Sequence, residues 1–223
     1  DALEQRVAAL EGGAAALAHA SGTSAIFNSI NNICKSGDEI VSAGNLYGGT
    51  YTLFAHMLPK LGIEVRFAEN DSPEALEKLI DDRTKAVFME TIGNPAGNIV
   101  DVAAVADMAR SKGVATIADN TVATPALLKP IEHGIDIVVH SVTKYMGGHG
   151  NSRGGMSVDG GEFPWADYPE KFHMLNQPEA SYHGVAYTQA MGAAAHAGRV
   201  RTVACRNTGS PTSPQGTIVL NPC

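Results

Sequence analysis

One lysine lies just beyond a short apolar segment in DIVVHSVTKYMGGHG, residues 136–150, and this placement suits chemistry on an aldehyde. An amine condenses with a carbonyl when shielding from water and nearby positive charge favour its neutral form. Ser141 and Thr143 precede Lys144 at alternating positions, so on an extended segment their hydroxyls point the same way. The glycine-rich stretch 147–150 permits tight turns. The segment therefore predicts a site in which one amine and two hydroxyls contact the same ligand.

Polar residues follow three other predicted strands, as SGTS at 21–24, TIGNP at 91–95 and DNT at 119–121. In an open parallel sheet, ligands bind beyond the carboxyl ends of the strands. Free N–H groups at the helix start in SGTSA attract a phosphate. A carboxylate such as Asp119 keeps a pyridine nitrogen protonated, and enzymes of pyridoxal 5'-phosphate (PLP) need this together with a Schiff-base lysine. The residues therefore indicate a site for one phosphorylated cofactor.

Each of these features also has a purely structural interpretation. SGT before a helix is often only a cap, an Asp at a strand end is often a turn residue, and a single Lys is usually a solvated charge. The eight histidines include no H-x-x-x-H or cysteine-partnered spacing, so no metal site is predicted.

Apolar strands alternate with amphipathic helices along most of the chain. Strands are predicted at AAALAHA, EIVSAG, IEVRFAE, TKAVFMET, VATIADN and DIVVHSV, and helices at DALEQRVAALEGG, SGTSAIFNSINNICKSGDE, GGTYTLFAHMLPKLG, SPEALEKLI and DVAAVADMARSKG. The third helix is expected to end at Gly62. This order predicts βαβ units, that is, an α/β protein with a mainly parallel sheet covered on both faces.

The second half of the chain has a less regular pattern. Residues 159–184 are rich in Pro, Gly and aromatic residues, which predicts a long loop that is either functional or disordered. VAYTQAMGAAAHAGRVRTVACRN then predicts a further helix. We expect a large domain over residues 1–208, including this long insertion loop, and a poorly ordered tail over 209–223 with two prolines.

The composition is that of a globular protein, with 44% apolar and 17% charged residues. A formal net charge of −7 disfavours nucleic acid as a partner. No run approaches the roughly 18 apolar residues of a membrane span, and no signal-peptide pattern opens the chain. The three isolated cysteines predict a reducing compartment, the cytoplasm, rather than a disulfide framework. The expected partners are therefore small molecules.

The segments SGTSAI, NLYGGTY, ETIGNP, ADNTVATP and VVHSVTKYMGGHG occur in this order and at characteristic separations. Over roughly residues 1–208 they closely resemble the Cys/Met-metabolism family of PLP-dependent enzymes. The resemblance implies the fold type I, aspartate aminotransferase-like large domain, a three-layer αβα arrangement with a mainly parallel sheet. It also implies PLP as the cofactor and a homo-oligomer, either a dimer or a tetramer built from dimers with shared active sites.

By motif, the resemblance implies that Lys144 would form the Schiff base and shuttle protons, and that Asp119 would pair with the pyridinium nitrogen. Tyr47 would stack on the ring and assist proton transfer near the leaving group. Asn94 would contact the 3-hydroxyl, and the phosphate would be held by Gly22, Thr23, Ser141 and Thr143. The implied catalytic residues are thus Lys144, Tyr47 and Asp119, and the cofactor-binding residues are Gly22, Thr23, Tyr47, Asn94, Asp119, Thr121, Ser141, Thr143 and Lys144.

Within the family, TIGNP and the aromatic insertion look most like the O-acetylhomoserine sulfhydrylase branch. The implied reaction is γ-replacement, in which O-acetyl-L-homoserine and sulfide or methanethiol give homocysteine or methionine and acetate. Two alternatives stay open. One is a methionine γ-lyase or cystathionine γ-synthase or lyase activity, and the other is an inactive fragment that retains the PLP domain.

Three features depart from the family pattern. The family's Tyr-x-Arg phosphate clamp, contributed by a neighbouring subunit, lies upstream of residue 1, and its C-terminal domain, with the arginine for the substrate carboxylate, is absent. We therefore expect a chain truncated at both ends. Arg153 also stands where a small or aliphatic residue is expected. It lies close to the segment 141–150 that carries Lys144, which we call the lysine loop.

Overall fold

The protein is described by a computed structural model that covers residues 2–220. Its strands are β1 (Ala15–His19), β2 (Glu39–Ser42), β3 (Glu64–Phe67), β4 (Thr84–Glu90), β5 (Ala115–Asp119), β6 (Ile137–His140) and β7 (Gly155–Asp159). They form one sheet in the order β1-β7-β6-β5-β4-β2-β3. Neighbours from β6 to β3 pair in parallel, whereas β7 is antiparallel to both β1 and β6. The predicted mainly parallel sheet is confirmed.

Strand β7 is the element that the sequence pattern misses. Its one glycine, Gly155, lowers strand propensity, but the packing requires it. A Cβ on Gly155 would lie 2.0 Å from the carbonyl oxygen of Ser21 and 2.8 Å from the nitrogen of Gly22. The weak strand signal thus has a physical cause, because the backbone of β7 approaches the start of the second helix too closely for a side chain.

The helices lie between the strands and after them. They are α1 (Ala2–Glu11), α2 (Gly22–Asn31), α3 (Gly48–Thr52), α4 (Pro73–Glu77), α5 (Val102–Ser111), α6 (Thr124–Leu127), α7 (His173–Asn176), α8 (Tyr187–Met191), α9 (Ala195–Arg199), α10 (Arg206–Thr208) and α11 (Pro214–Leu220). The helix predicted to end at Gly62 does end there, with that residue in the left-handed conformation at φ 76°. It is however α-helical only in α3, and continues as a π-helix over Leu53–Met57 and a 3₁₀-helix over Leu58–Leu61.

Two apolar clusters cover the opposite faces of the sheet. Successive residues of a strand point to opposite faces, and on β4 Val87 and Met89 enter one cluster whereas Ala86 and Phe88 enter the other. Residues of α1, α4 and α5 complete the first cluster, and residues of α2 and the π-helical turn complete the second. The predicted three-layer αβα architecture is confirmed. Within residues 2–220, every helix is too short or too polar to span a bilayer.

The long segment 159–184 packs onto the second cluster. Phe163, Trp165 and Phe172 are buried and contact one another, with ring centroids 4.4 Å apart for the first pair and 4.9 Å apart for Trp165 and Phe172. Aromatic burial of this kind contributes a large share of core stability. The loop that we expected to be functional or disordered is therefore part of the hydrophobic core on one face of the sheet.

Regular structure near the C-terminus differs in detail from the expectation. The predicted helix after the loop is broken into α8, a 3₁₀ turn over Gly192–Ala194, α9, a π-helix over Val200–Cys205 and α10. The tail predicted over 209–223 contains α11, whose Leu220 is buried in the first cluster. Residues 221–223 lie outside the described range, and the predicted domain boundary near residue 208 stays a prediction.

Candidate active site

A cavity of about 700 Å³ lies beyond the carboxyl ends of β1, β4, β5 and β6. This size suits a cofactor or a small substrate. Every residue that the sequence analysis assigned to the site lines this cavity, namely Gly22, Thr23, Tyr47, Asn94, Asp119, Thr121, Ser141, Thr143 and Lys144. Arg153 and Glu90 also line it. The rule that ligands bind beyond the carboxyl ends of parallel strands thus assigned to one site residues that are more than 100 positions apart in the chain.

Asp119, the last residue of β5, is held by one of its two carboxylate oxygens. The backbone N–H of Thr121 donates to Oδ1 at 2.9 Å, and the Thr121 hydroxyl donates to the same oxygen. Burial raises the pKa of Asp119 above its usual value. Oδ2 accepts no hydrogen bond from residues 2–220. The carboxylate is therefore oriented by its neighbour and keeps one oxygen for a cationic or N–H donor in the cavity.

Thr121 also connects the ends of β5 and β6. Its Oγ1 accepts a hydrogen bond from the backbone N–H of Ser141 at 2.8 Å while its proton goes to Asp119. Beneath it, Asn120 is fully buried and donates to the Leu128 carbonyl at 2.8 Å, and the hydroxyl of Thr91 donates to its Oδ1 at 2.9 Å. The DNT turn is therefore fixed from both sides, which limits the positions that Asp119 can take.

The start of α2 supplies backbone donors to the cavity. Ser21 is the N-cap, and its hydroxyl accepts from the N–H of Ser24 at 3.1 Å. Gly22 lies against the end of β6, where an added Cβ would lie 2.7 Å from the Cβ of Ser141 and 2.9 Å from its Cα. The first N–H groups of a helix have no partner within the helix and favour an anion. Gly22 thus lets the helix start approach the strand end, and Thr23 is exposed beside it.

The two predicted hydroxyls differ in availability. The hydroxyl of Ser141 makes no hydrogen bond to any other residue in the range 2–220. In contrast, Oγ1 of Thr143 accepts from the N–H of Gly154 at 3.0 Å and donates to its carbonyl at 3.2 Å. Ser141 is therefore open to a ligand, whereas Thr143 already joins the lysine loop to the segment that leads into β7.

Tyr47 lies at the mouth of the cavity, at the N-cap of α3, and 52% of its surface is exposed. Its ring lies over Gly49, where an added Cβ would be 2.5 Å from Cε1 of the ring. Asn94, in the turn after β4, is also exposed, and the peptide bond to Pro95 is cis. Both residues line the cavity, and both are exposed.

Lys144 and Arg153 supply the positive charge of the site. Both are exposed, and neither side chain makes a hydrogen bond or ion pair within the described part of the chain. The sequence analysis expected Lys144 to be shielded from water. Within residues 2–220 the side chain is exposed, so this part of the chain does not supply the shielding. Arg153 is a second cationic residue that lines the same cavity.

Glu90 is the residue of the site that the sequence analysis missed. It ends β4 beside Asp119 in the strand pairing and is only 5% exposed. Burial, followed by the charge of Asp119, raises the pKa of Glu90 to about 7, against hydrogen bonds that lower it. The signal was available, since the rule that ligands bind at strand ends applies to the last residue of KAVFME as well as to the residues after it.

Known proteins are similar to this chain in both sequence and fold. Residues 1–221 match the family described as Cys/Met metabolism PLP-dependent enzyme. Homocysteine/cysteine synthase of Saccharomyces cerevisiae is 48% identical over 219 residues, which are 98% of this chain and 49% of that protein. O-acetyl-L-homoserine sulfhydrylase of Leptospira meyeri is 49% identical over 192 residues, which are 86% of this chain and 43% of that protein.

Two solved structures are similar to this one over nearly its whole length. A Campylobacter jejuni protein assigned as O-acetylhomoserine (thiol)-lyase, which contains N'-pyridoxyl-lysine-5'-monophosphate, has a TM-score of 0.92 and 37% identity, with 99% of this chain and 55% of that chain covered. O-acetylhomoserine sulfhydrylase of Wolinella succinogenes has a TM-score of 0.86 and 34% identity, with 98% and 60% covered. The chain spans about half the length of the curated relatives that it matches.

Proposed function

The chain belongs to the Cys/Met metabolism family of PLP-dependent enzymes, and from this premise we propose that it is the cofactor-binding part of an O-acetylhomoserine sulfhydrylase. The reaction would convert O-acetyl-L-homoserine and sulfide, or methanethiol, to homocysteine, or methionine, and acetate. Support comes from the relatives, which include a homocysteine/cysteine synthase and O-acetyl-L-homoserine sulfhydrylases.

One observation carries the proposal. A single cavity is lined by an amine, by a carboxylate that has hydrogen bonds on only one of its oxygens within residues 2–220, and by a helix start. Lys144, Asp119 and Gly22 come from three separate strand ends and line the same space. The helix start at Gly22 lies too close to Ser141 for a Cβ, and Oδ2 of Asp119 accepts no hydrogen bond within residues 2–220. An aldehyde, a protonated ring nitrogen and a phosphate match these three features, so the residues present fit PLP.

Lys144 and Asp119 take the central roles in this proposal. When bound, PLP supplies an electron sink that stores the negative charge left on carbon after a proton is removed. Lys144 holds the cofactor and moves the α-proton of the substrate through its Nζ. Asp119 accepts a hydrogen bond from the ring nitrogen and keeps that nitrogen protonated. The bonds from Thr121 hold the carboxylate in place for this task.

The remaining residues position the cofactor. Backbone N–H groups at Gly22 and Thr23 and the hydroxyl of Ser141 bind the phosphate. Thr143 contributes through its bonds to Gly154, which hold the lysine loop against the sheet. Tyr47 stacks on the ring and assists proton transfer near the leaving group, and Asn94 contacts the 3-hydroxyl.

The proposal extends to the assembly, the compartment and the domains. We place residues 1–208 in one PLP-binding domain, and we expect a homo-oligomer that acts in the cytoplasm on small amino-acid substrates. Cys34 and Cys205 are free and buried, as suits a reducing compartment. Light scattering after size-exclusion chromatography, with and without PLP, tests the oligomer.

The decisive experiment is a PLP titration followed by absorbance, borohydride reduction and peptide mapping. We expect a new absorption band and a pyridoxyl group on Lys144 that the Lys144→Ala variant lacks. Lys60→Ala is the matched control, because Lys60 is also exposed and lies outside the cavity. A label spread over several lysines, or none at all, would refute the proposed cofactor site and favour an inactive fragment.

Substrate assays separate the replacement reaction from its alternatives. The proposal predicts acetate release from O-acetyl-L-homoserine that depends on sulfide or methanethiol. Release of ammonia and a ketoacid from methionine or cystathionine would instead assign a γ-lyase. A chain that takes up PLP on Lys144 but releases no product would limit the proposal to cofactor binding.

A further inference from the structure

The carboxylate of Glu90 joins two segments that are distant in the sequence. Its Oε1 accepts the backbone N–H of Tyr47 at 2.7 Å, and its Oε2 accepts the backbone N–H of Asn94 at 3.0 Å. Both oxygens are therefore used, and both donors belong to residues whose side chains line the cavity. A carboxylate that accepts backbone N–H groups in this way makes charge-assisted hydrogen bonds, which are stronger than neutral ones.

The two segments have few other bonds near these residues. Tyr47 caps α3 without a side-chain hydrogen bond and is 52% exposed. Asn94 is exposed, and its turn closes through a bond from the N–H of Gly93 to the carbonyl of Asn98 at 2.9 Å. One further link, the side-chain bond between Asn45 and Asn98, lies outside the cavity lining. Glu90 is thus the direct connection between the backbone of Tyr47 and the backbone of Asn94.

We propose that Glu90 is a positioning residue that clamps Tyr47 and Asn94 against the ring of the bound cofactor, and that protonation of its carboxylate opens the clamp. The effect on the cofactor rests on the proposed function. The clamp itself does not, because its hydrogen bonds are made by the protein alone. When the carboxylate takes up a proton, the protonated oxygen becomes a donor and a weaker, uncharged acceptor, so the bond to one of the two N–H groups is weakened.

The surroundings of Glu90 place this change close to neutrality. Burial and the charges of Asp119 and Asp71 raise its pKa to about 7, while the two backbone hydrogen bonds oppose the rise. The clamp is therefore closed above about pH 7 and opens as the pH falls through that value. The charged and titratable groups that share the cavity with Glu90 on other elements are Tyr47 before α3, Asp119 on β5, and Lys144, Tyr145 and Arg153 beyond β6.

A pH titration of the cofactor-free chain by NMR tests the clamp directly. The amide proton shifts of Tyr47 and Asn94 are expected to change together, with one shared midpoint close to pH 7. In Glu90→Gln this shared transition disappears. In Glu69→Gln, a matched change of an exposed carboxylate outside the cavity, it is retained. Separate midpoints, or a transition that survives in Glu90→Gln, would overturn the clamp, and the wild-type titration decides this even if the variant fails to fold.

Cofactor binding tests whether the clamp acts on the ring. At pH 8 we expect Glu90→Gln to bind PLP about tenfold more weakly than the wild-type chain, as the loss of one strong hydrogen bond implies. At pH 6 the two proteins should bind alike. Equal affinity at pH 8 would overturn the positioning role. If the wild-type chain binds no PLP at all, the proposed function fails instead, and the NMR titration still decides the clamp.

Discussion

The two walls of the cavity are built differently. One, the strand wall, is formed by Glu90, Asp119 and Thr121, which are buried or half-buried and joined by hydrogen bonds to the protein backbone. The other, the loop wall, consists of Lys144, Tyr145, Gly148, Gly150 and Arg153, which are exposed. On the strand wall the sheet positions each group before any ligand arrives. On the loop wall the cationic side chains have no partner among residues 2–220.

This difference indicates a division of tasks. Preorganised groups lose little entropy when a ligand binds, so the strand wall can set the orientation of the ring. Exposed Lys and Arg side chains keep their rotamer freedom, and ordering them costs about 2 kcal/mol or less each. The loop wall can therefore follow the aldehyde and the anionic groups, and apart from the covalent bond proposed for Lys144 it contributes less to affinity. Substitutions on the two walls test this division.

The largest effect is expected for Asp119→Asn on the strand wall. A neutral amide loses the charge-assisted bond to the ring nitrogen, worth about 1.5–3 kcal/mol, so PLP affinity should fall roughly 10- to 100-fold. The empty chain should be no less stable in urea, because burial already disfavours the charged form of Asp119. Asp107→Asn, at an exposed position on α5, is the control. Unchanged PLP affinity in Asp119→Asn would contradict a preorganised strand wall.

Gly22→Ala should disturb the contact between the start of α2 and the strand wall. The new Cβ would lie 2.7 Å and 2.9 Å from the Cβ and Cα of Ser141, so the helix start must move. We expect a loss of about 1–3 kcal/mol in the free energy of unfolding, measured in urea. At Gly48 an added Cβ meets no atom within 4 Å, so Gly48→Ala should change stability by less than about 0.5 kcal/mol. Equal costs would show that the close approach is not required.

Asp159→Asn tests whether PLP affinity depends on buried carboxylates in general or only on those of the strand wall. Asp159 is the last residue of β7 and pairs with Ala15 and Ile137, the first residues of β1 and β6, so it lies at the end of the strands away from the cavity. Burial raises its pKa to about 7. Because the folded pKa lies above the unfolded value, ionised Asp159 destabilises the fold as the pH rises toward and through 7. Relative to wild type, the variant should gain more than about 1 kcal/mol between pH 5 and pH 8.

Urea unfolding at several pH values measures this gain, and PLP affinity should be unchanged in Asp159→Asn. The comparison with Glu90→Gln is direct, since burial raises the pKa of both carboxyls to about 7. A loss of PLP binding in Asp159→Asn would mean that any buried carboxylate affects the cavity, and the strand wall would have no special role.

The smallest effect is expected for Arg153→Ile on the loop wall, which introduces one of the small or aliphatic residues that the family resemblance implies at that position. Arg153 is exposed and makes no ion pair within residues 2–220, so stability should change by less than about 0.5 kcal/mol. PLP should bind about two- to fivefold more weakly at low salt, and the difference should vanish in about 1 M salt, where such charges are screened. A salt-independent loss would show that Arg153 makes a specific contact instead.

Local sequence patterns were sufficient for the frame of the site. Alternating strand and helix periods predicted six of the seven strands that residues 2–220 form, and they placed Asp119, Ser141 and Lys144 at or just beyond strand ends. The reason is physical, since apolar periodicity reports which face of an element is buried, and parallel strands bring their carboxyl ends to one edge. SGT before a helix also indicated a cap, for which Ser21 or Thr23 was the candidate, and the structure has Ser21 in that place. The roles of these residues toward PLP stay predictions.

The tertiary structure decided what depends on contacts between distant segments. Strand β7 has a weak pattern because Gly155 must fit against Ser21, and the strand runs antiparallel to both β1 and β6. The pairing of Glu90 with Tyr47 and Asn94 exists only when three segments meet, so no local period can report it. Exposure of Lys144 likewise depends on what covers the loop. The sequence specified which groups stand at the strand ends, whereas folding determined which of them are fixed by hydrogen bonds and which are exposed to solvent.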